Sequence, residues 1–488
     1  MSFLYVHPEA FLICLGIGLV LFEAFFTKAD NKKPVGFAAI IGLVIALVFT
    51  VSKGTFIEEG GAQLLAPELV TFFKGFAIVA TILVTILALD YRKVLSRFTD
   101  FPNSENGTGE FYCLPIFACA GMMWMIDSKD LISAFVALEL VTITFYVMVA
   151  YLRKNVGSLE AGVKYLILGA LSAGFMVYGI AWIFGATGTT VFAELPDAMS
   201  TAFEAGRGSM LLFGIALVLI GLGFKVGAVP TQVWIPDVYQ GAPTPTTAFL
   251  SVASKAAGFG LLLLFLVPLL TTEQTRGPIT LILAIMAGAT LVFGNLAALA
   301  QTNLKRLLAY SSIAHAGFLL VAVSSWNPAE ASTNSLNGAQ IVAFYLATYL
   351  IMTLGAFFAL SLVSQQQGSE EISAFNGLGK RNPILALGLT ILMAALAGLP
   401  LTAGFYGKLF VFQSAIAAQQ WWLVGTGFLA VAAGFYYYFK LIKAMYWNLP
   451  QSTSALEVPS FSKIVIGAMV ITTVILGVWP APILWVIG

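Results

Sequence analysis

The chain has 488 residues, of which 59% are hydrophobic and only 10% charged, with a formal net charge of +1. A water-soluble protein carries about 25% charge, so a soluble globular fold is excluded, and a balance this close to neutral gives no reason to expect nucleic acid as a partner. The three cysteines, Cys14, Cys113 and Cys119, lie in or beside apolar stretches at spacings that match no zinc or cluster pattern. They read as small packing residues.

Apolar stretches of 18 or more residues recur from end to end, each long enough to cross a hydrocarbon core about 30 Å thick at about 1.5 Å per residue. Lipid offers the backbone no hydrogen-bond partner, and the alternating ten-residue segments of a barrel are absent, so the chain reads as an all-α polytopic membrane protein. The first stretch, "FLICLGIGLVLFEAFF", follows "MSFLYVHPEA" without a basic n-region or a small-residue cleavage site, which predicts a retained span rather than a signal peptide. Apolar runs between polar breaks then give about fourteen spans, centred near residues 18, 43, 80, 118, 141, 171, 217, 258, 289, 314, 350, 400, 433 and 474. Lys28, Lys32, Lys33, Arg92, Lys93, Arg97, Arg153, Lys154, Lys305, Arg306, Lys380, Arg381, Lys443 and Lys463 fall in odd loops. Only Lys53, Lys129, Arg207 and Arg276 fall in even ones. The positive-inside rule makes the odd loops cytoplasmic and puts both termini on the outer side, which requires an even number of spans. The longest polar intervals, around "SRFTDFPNSENGTGE" and "ELPDAMSTAFEAGRGS", read as loops.

Chemistry in such a chain must come from the few charges inside the spans. Lys74, Lys164, Lys225, Lys255, Lys408 and Lys440 fall within or near them, joined by Glu139 and His315. At a helix centre each charge costs about 2.5 to 3.5 kcal/mol on insertion scales, so central charges are paired, hydrated or neutral. Glu139, in "DLISAFVALELVTITFYVMVAYL", is deep. So is Lys255, in "APTPTTAFLSVASKAAGFGLLLLFLVPLL", about ten residues past Pro245 and roughly 15 Å into its span. Both read as functional, with a buried structural pair as the competing reading. His315, with Ser311 one turn earlier on the same face, fits a relay and a hydrogen-bonded packing residue equally well. Lys164 is shallower, and Glu160 stands four residues before it in the favourable order, so a salt-bridged or snorkelling lysine competes with a functional one. Lys74 and Lys440 lie close to span ends, where snorkelling is the better reading.

Lys225 and Lys408 sit in segments that are too long and interrupted. Residues 208 to 240 and 383 to 418 each exceed the 20 or so that one crossing needs, and each contains a helix-breaking stretch. In "GLGFKVGAVP" the breakers are Gly227 and Pro230, and in "LAGLPLTAGFYGK" they are Gly398, Pro400 and Gly404. These are spans seven and twelve, and an offset of five reverses direction. The pattern predicts two inverted five-helix repeats, spans 4 to 8 and 9 to 13, with paired broken helices as the sequence sign of a transport site. Ordinary proline kinks beside packing glycines are the alternative. The resulting division is 1–100 for three N-terminal helices, 101–272 and 273–450 for the repeats, and 451–488 for a last helix. A buried lysine can exchange protons near neutrality, because burial and a neighbouring carboxylate pull its basicity in opposite directions. A string of such groups would carry protons in steps across a potential worth about 2.3 kcal/mol per charge per 100 mV. The residues read as a proton relay.

The stretches "GLGFKVGAVPTQVWIPDVYQGAPTPTTAFLSVASKAAGFG", "NLAALAQTNLKRLLAYSSIAHAGFLLVAV" and "LAGLPLTAGFYGKLFVF" resemble the antiporter-like subunits of respiratory complex I, over nearly the whole chain. The wording "WIPDVYQGAPTP" is similar to the N-type subunit, and Lys408 stands where the sister M-type carries a glutamate. The resemblance implies proton translocation driven by NADH oxidation and quinone reduction in other subunits. It implies no cofactor on this chain, while the complex as a whole holds FMN, iron-sulfur clusters, NADH and quinone. It also implies the M subunit and the small K, J and A subunits as partners, in a bacterial cytoplasmic (inner) membrane. The matching relay positions are Glu139 paired with Lys225, Lys255 as the central member, Lys408 on the second broken helix, Lys164 on the polar axis and His315 at a histidine position between the halves. One departure is Gln232, where relatives often show histidine; an amide does not titrate near neutrality, so that step runs through water or a neighbour. Rival readings are a stand-alone sodium/proton antiporter subunit, a transporter for an anionic solute using lysines near half-helix ends, and a structural spacer, which needs no deep lysines. No complete G-x-G-x-x-G, P-loop or metal spacing is present.

Overall fold

A computed structural model describes residues 7–28, 31–53, 64–98, 104–328, 336–450 and 458–488. In chain order the helices are α1 (Pro8–Phe26), α2 (Lys33–Lys53), α3 (Pro67–Leu95), α4 (Glu110–Ile126), α5 (Leu131–Val149), α6 (Val156–Thr187), α7 (Leu195–Glu204), α8 (Gly208–Val226), α9 (Ile235–Gly241), α10 (Thr244–Phe249) and α11 (Lys255–Thr271). They continue as α12 (Glu273–Leu299), α13 (Leu304–Ser324), α14 (Gly338–Gln367), α15 (Pro383–Ala397), α16 (Ala403–Ala417), α17 (Trp421–Trp447), α18 (Ser460–Val478) and α19 (Ala481–Ile487). Among the described residues, twelve helices are long and apolar enough to cross a membrane. The expected spans near residues 118 and 400 correspond to shorter elements, α4 with Pro115 inside it and the α15/α16 pair.

Helix starts follow from local capping. Asp130 accepts from the backbone N–H groups of Ile132 and Ser133, Asn155 from Gly157 and Ser158, Asn303 from Arg306 and Asn382 from Leu385. Each side chain satisfies donors that a helix cannot satisfy internally, which matters most where apolar surroundings offer no substitute. The interval around "ELPDAMSTAFEAGRGS", expected as a loop, contains α7. Its Leu195, Met199 and Ala202 are buried, and their spacing gives one apolar stripe on a short amphipathic helix.

The chain divides into two compact units. The first comprises Met1–Trp234, Gly241–Leu283 and Asn327–Asn337; the second comprises Ile235–Gln240, Ala284–Trp326 and Gly338–Gly488. In the first unit α6 and α8 pack along each other through glycines. A Cβ on Gly179 would lie 2.7 Å from the Gly214 carbonyl oxygen, and one on Gly214 would lie 2.9 Å from that of Gly179. Ser172 adds a hydrogen bond from its hydroxyl to the Gly221 carbonyl at 3.1 Å. Close backbone approach by small residues is how helices gain dispersion contact when lipid removes the hydrophobic drive between them. Lys74 does not snorkel in this unit. It is buried, with Glu9 of α1 at 2.7 Å and Asp127 beyond α4 at 2.8 Å, because three helices bring two carboxylates to it. Lys32 likewise pairs with Glu23 at 2.6 Å, and Arg92 with Glu105 at 3.2 Å.

In the second unit the long, largely buried α14 packs against α13, α15, α16 and α18. Lys305 is buried and pairs with Glu370 at 3.0 Å, while Arg306 holds Asp237 of α9 at 2.8 Å. Lys440, expected to snorkel, donates to the Gln301 carbonyl at 2.8 Å, just beyond the C-terminal end of α12, where the helix dipole favours a cation.

Gly404 opens the turn into α16, and a Cβ built there would overlap the carbonyl oxygen of Ala395, which is backbone and cannot rotate away. Gly404→Ala is therefore expected to destabilise the protein by about 1 to 3 kcal/mol, as overpacking does. Gly425→Ala, with nothing near its added Cβ, is expected to be neutral. Thermal unfolding of the two purified variants checks this; equal midpoints would show that the break is not tightly packed at Gly404.

Candidate functional site

Lys225 lies one residue before the end of α8. The helix stops because Gly227 adopts a left-handed conformation, φ 81°, that costs glycine nothing. The turn that follows is closed by Trp234, whose indole N–H donates to the Phe224 carbonyl at 3.1 Å, and Tyr165, Phe224 and Trp234 stack together. The Lys225 ammonium donates to the Thr142 hydroxyl at 3.3 Å and lies 5.8 Å from the centre of the Phe145 ring. Thr142 stands three residues after Glu139 on α5, hence on the same helical face. Glu139 is within electrostatic reach of Lys225, and its Oε1 is buried with no hydrogen-bond partner among the described residues. The first unit thus assembles a carboxylate, a hydroxyl and an ammonium.

Lys255 opens α11 directly after a turn of π-helix, Leu250–Ser254, which inserts an extra residue into the helical register. Such turns are uncommon and recur at functional sites. One helical turn later, Gly258 lies against Lys225. A Cβ there would be 3.0 Å from the lysine Cγ, so the two lysines belong to helices in direct contact. Gln232, in the short turn after the break, is buried, and its Oε1 has no hydrogen-bond partner among the described residues. Lys164 differs from this group in exposure. It pairs with Glu160 at 2.8 Å on α6, with 42% of its side chain exposed.

The second unit has a different chemistry. α15 ends at Gly398, φ 91°, and the chain re-enters a helix at Ala403. Lys408, on α16, turns back across this break and donates to the carbonyls of Leu396 at 3.1 Å and Ala397 at 2.7 Å, the last residues of α15. A helix C-terminus carries partial negative charge and unsatisfied carbonyls, so it holds the ammonium without a carboxylate. The Phe318 ring lies 5.2 Å from the same ammonium. His315 has both ring nitrogens engaged, Nδ1 with the Tyr345 hydroxyl at 2.7 Å and Nε2 with that of Tyr438 at 3.2 Å. The Tyr438 hydroxyl also bonds the Ser311 hydroxyl.

Lys225, Lys255, His315 and Lys408 are between 2% and 6% exposed, which separates them from Lys164. Pro230 and Pro400 lie in the two breaks, as their positions in the sequence predict. Sequence reasoning missed Thr142, Phe318, Tyr345 and Tyr438. Thr142 left a signal, its spacing of three from Glu139, and so did Phe318, three residues after His315; Tyr345 and Tyr438 come from remote segments in a chain with 16 tyrosines. Among the described residues, no group of three or more His, Cys, Asp or Glu side chains could hold a metal ion.

The family model described as NADH:quinone oxidoreductase/Mrp antiporter, transmembrane, matches residues 128–434. The NADH-quinone oxidoreductase subunit N of Heliobacterium modesticaldum is 37% identical over 484 residues, covering 99% of this chain and 98% of that protein. The subunit N of Desulfitobacterium hafniense is 36% identical over 98% of this chain and 96% of its own length. Among solved structures, a chain of respiratory complex I from Thermus thermophilus superposes with a TM-score of 0.78 at 30% identity, covering 97% of each chain. A chain of the Mrp complex from Dietzia sp. DQ12-45-1b gives a TM-score of 0.80 at 18% identity over 99% of this chain and 96% of that one, which shows the fold alone. The chain belongs to the NADH:quinone oxidoreductase/Mrp antiporter family and, within it, to the subunit N group of NADH-quinone oxidoreductases.

Proposed function

We propose that this chain is the proton-translocating membrane subunit of an NADH:quinone oxidoreductase, a translocase component with no redox centre of its own. The single observation that carries the mechanism is the placement of Lys225, Lys255 and Lys408, each buried and each either next to a break or π-turn in a helix or, for Lys408, reaching back across one. Breaks and a π-turn free backbone groups or shift side-chain register, and a proton-bearing side chain can use both. In the first unit, protons would be held by Glu139, Lys225 and Lys255, with Thr142 between the first two. In the second, His315 and Lys408 would hold them. Lys164, paired with an exposed glutamate, enters as the peripheral member. Redox energy released in other subunits, which hold FMN, iron-sulfur clusters, NADH and quinone, would change these occupancies against the membrane potential.

The inverted repeat and the four-part division at 100, 272 and 450 belong to the same proposal. Their support is a repeated local pattern. The start of α5 forms a bridge between Asp130 and Val191, and the start of α13 forms one between Asn303 and Glu371. Asp130 and Asn303 are also the N-caps of those helices, spans five and ten, and Gly227 and Gly398 are the left-handed caps in spans seven and twelve. The proposal further takes the sister M subunit and the small K, J and A subunits as partners, in a bacterial cytoplasmic membrane with both termini outside. The lysine and arginine bias of the odd loops supports that orientation. A stand-alone sodium/proton antiporter subunit is the lesser reading, since the Mrp chain shares the fold at 18% identity while relatives named subunit N share 34 to 38%.

Lys225→Ala, introduced into the native chromosome, tests the reading. NADH:quinone turnover and the pH gradient in membrane vesicles are expected to fall about tenfold or more with the complex fully assembled, the scale on which a proton-transfer group acts. Undiminished turnover and gradient would show that Lys225 only pairs or snorkels. Lys164→Ala is expected to lose much less, because its partner is an exposed carboxylate and such pairs contribute about 0 to 1 kcal/mol. Equal loss in both variants would remove burial as the property that selects relay lysines. Thr142→Val is expected to slow gradient formation while Thr142→Ser keeps it, since only the hydroxyl meets the ammonium; identical rates in the two would make Thr142 a packing residue.

A further inference from the structure

His315 is held at both ends. Ser311 and His315 come from α13, Tyr345 from α14 and Tyr438 from α17, and all four side chains are buried in the second unit. The hydrogen bonds run without interruption from Ser311 to Tyr438, to His315 Nε2, and from His315 Nδ1 to Tyr345. A neutral imidazole donates at one nitrogen and accepts at the other, and each hydroxyl both donates and accepts. Every link can therefore carry a proton in either direction.

We propose that Ser311, Tyr438, His315 and Tyr345 form a proton wire, with both tyrosine hydroxyls as transfer groups. The proposal rests on the relay reading above. A proton arriving at the Ser311 oxygen forms a new O–H bond there as the serine's own proton passes to the Tyr438 oxygen. The Tyr438 proton moves to Nε2, the Nδ1 proton moves to the Tyr345 oxygen, and the original Tyr345 proton leaves. One proton enters and one leaves, no phenolate remains, and the wire resets when the hydroxyls and the imidazole reorient. Moving the protons together avoids ionising a phenol, whose ordinary pKa is about 10.

The surroundings supply a destination. The Tyr345 ring stacks on Phe318 with centroids 6.5 Å apart, and the Lys408 ammonium lies 5.2 Å from the centre of that same ring. Gly407, the residue before Lys408, backs onto Tyr345, where an added Cβ would be 3.0 Å from the ring. Tyr345 and Lys408 thus share one aromatic wall, and water there would complete the transfer. A neighbour provides the contrast: the Tyr437 ring is tilted against that of Tyr438 at 4.5 Å, and its hydroxyl, which also reaches Tyr438 and Ser311, donates to Asn295 Oδ1 at 3.3 Å, so it is a side branch and not a link between Ser311 and His315.

The test compares Tyr345→Phe, Tyr438→Phe and Tyr437→Phe in the assembled complex, with Lys225→Ala alongside. Protons translocated per NADH oxidised and the solvent deuterium isotope effect on gradient formation are read in the same vesicles. Tyr345→Phe and Tyr438→Phe are expected to slow gradient formation about tenfold or more and to change the isotope effect, while Tyr437→Phe resembles the parent. Parent-like pumping and isotope effect in both wire variants, with Lys225→Ala still inactive, would overturn the wire and leave the relay standing. Pumping retained in Lys225→Ala would overturn the relay itself. Tyr438→Phe no worse than Tyr437→Phe would also overturn the wire, because the loss would then be one of packing. Should a tyrosine variant fail to assemble, Ser311→Ala removes one hydroxyl from the same chain of bonds and is read in the same way.

Discussion

An ammonium group inside an apolar helical bundle must find oxygen, and a regular helix has none to spare. Its carbonyls are committed to its own N–H groups except in the last turn. Lys74 and Lys305 meet that constraint with carboxylates, whereas Lys225, Lys255 and Lys408 meet it beside places where a helix stops being regular. Lys408 takes the two final carbonyls of α15, Lys225 sits at the end of α8 and takes a threonine hydroxyl, and Lys255 follows a π-turn. The break and the charge therefore require each other. Without the lysine, the freed carbonyls of α15 would lose their donor; without the break, the ammonium would lose these acceptors.

Glycine makes the breaks affordable in space as well as in conformation. Gly227 and Gly398 supply left-handed caps, and Gly404 lets α16 start against the carbonyl of Ala395. The same residue type closes the α6/α8 contact, so small side chains decide both where helices end and how closely they approach. Apolar bulk fills the remainder, which leaves the polar groups few and their partners well defined.

That economy explains what the sequence disclosed. Long apolar runs fixed most spans, and the cost of a central charge singled out Lys225, Lys255, Lys408, Glu139 and His315 without any structure. The breaks were legible because glycine and proline change the backbone locally. Partners supplied from elsewhere in the chain were not legible. Tyr345 and Tyr438 lie 30 and 123 residues from His315, and nothing in their own segments marks them as polar contacts. Lys74 was misread for the same reason: its two carboxylates come from Glu9 on α1 and Asp127 just after α4, so a residue near a span end looked free to snorkel. The helix α7 was missed because polar composition hid a short apolar stripe.

On the proposed relay, the two units handle charge unequally. When Lys225 gives up its proton, Glu139 remains as a carboxylate within electrostatic reach and draws the next proton in. Lys408 is held by carbonyl dipoles, so its deprotonation strands no full counter-charge and leaves the site neutral. Gln232 cannot take part in storage, since an amide orients a donor without exchanging a proton, and its buried oxygen, which has no partner among the described residues, suits a water better than an ion. A proton is thus held against a negative partner in the first unit and against neutral oxygens in the second. That difference in what is left behind gives each unit its own dependence on the surrounding field.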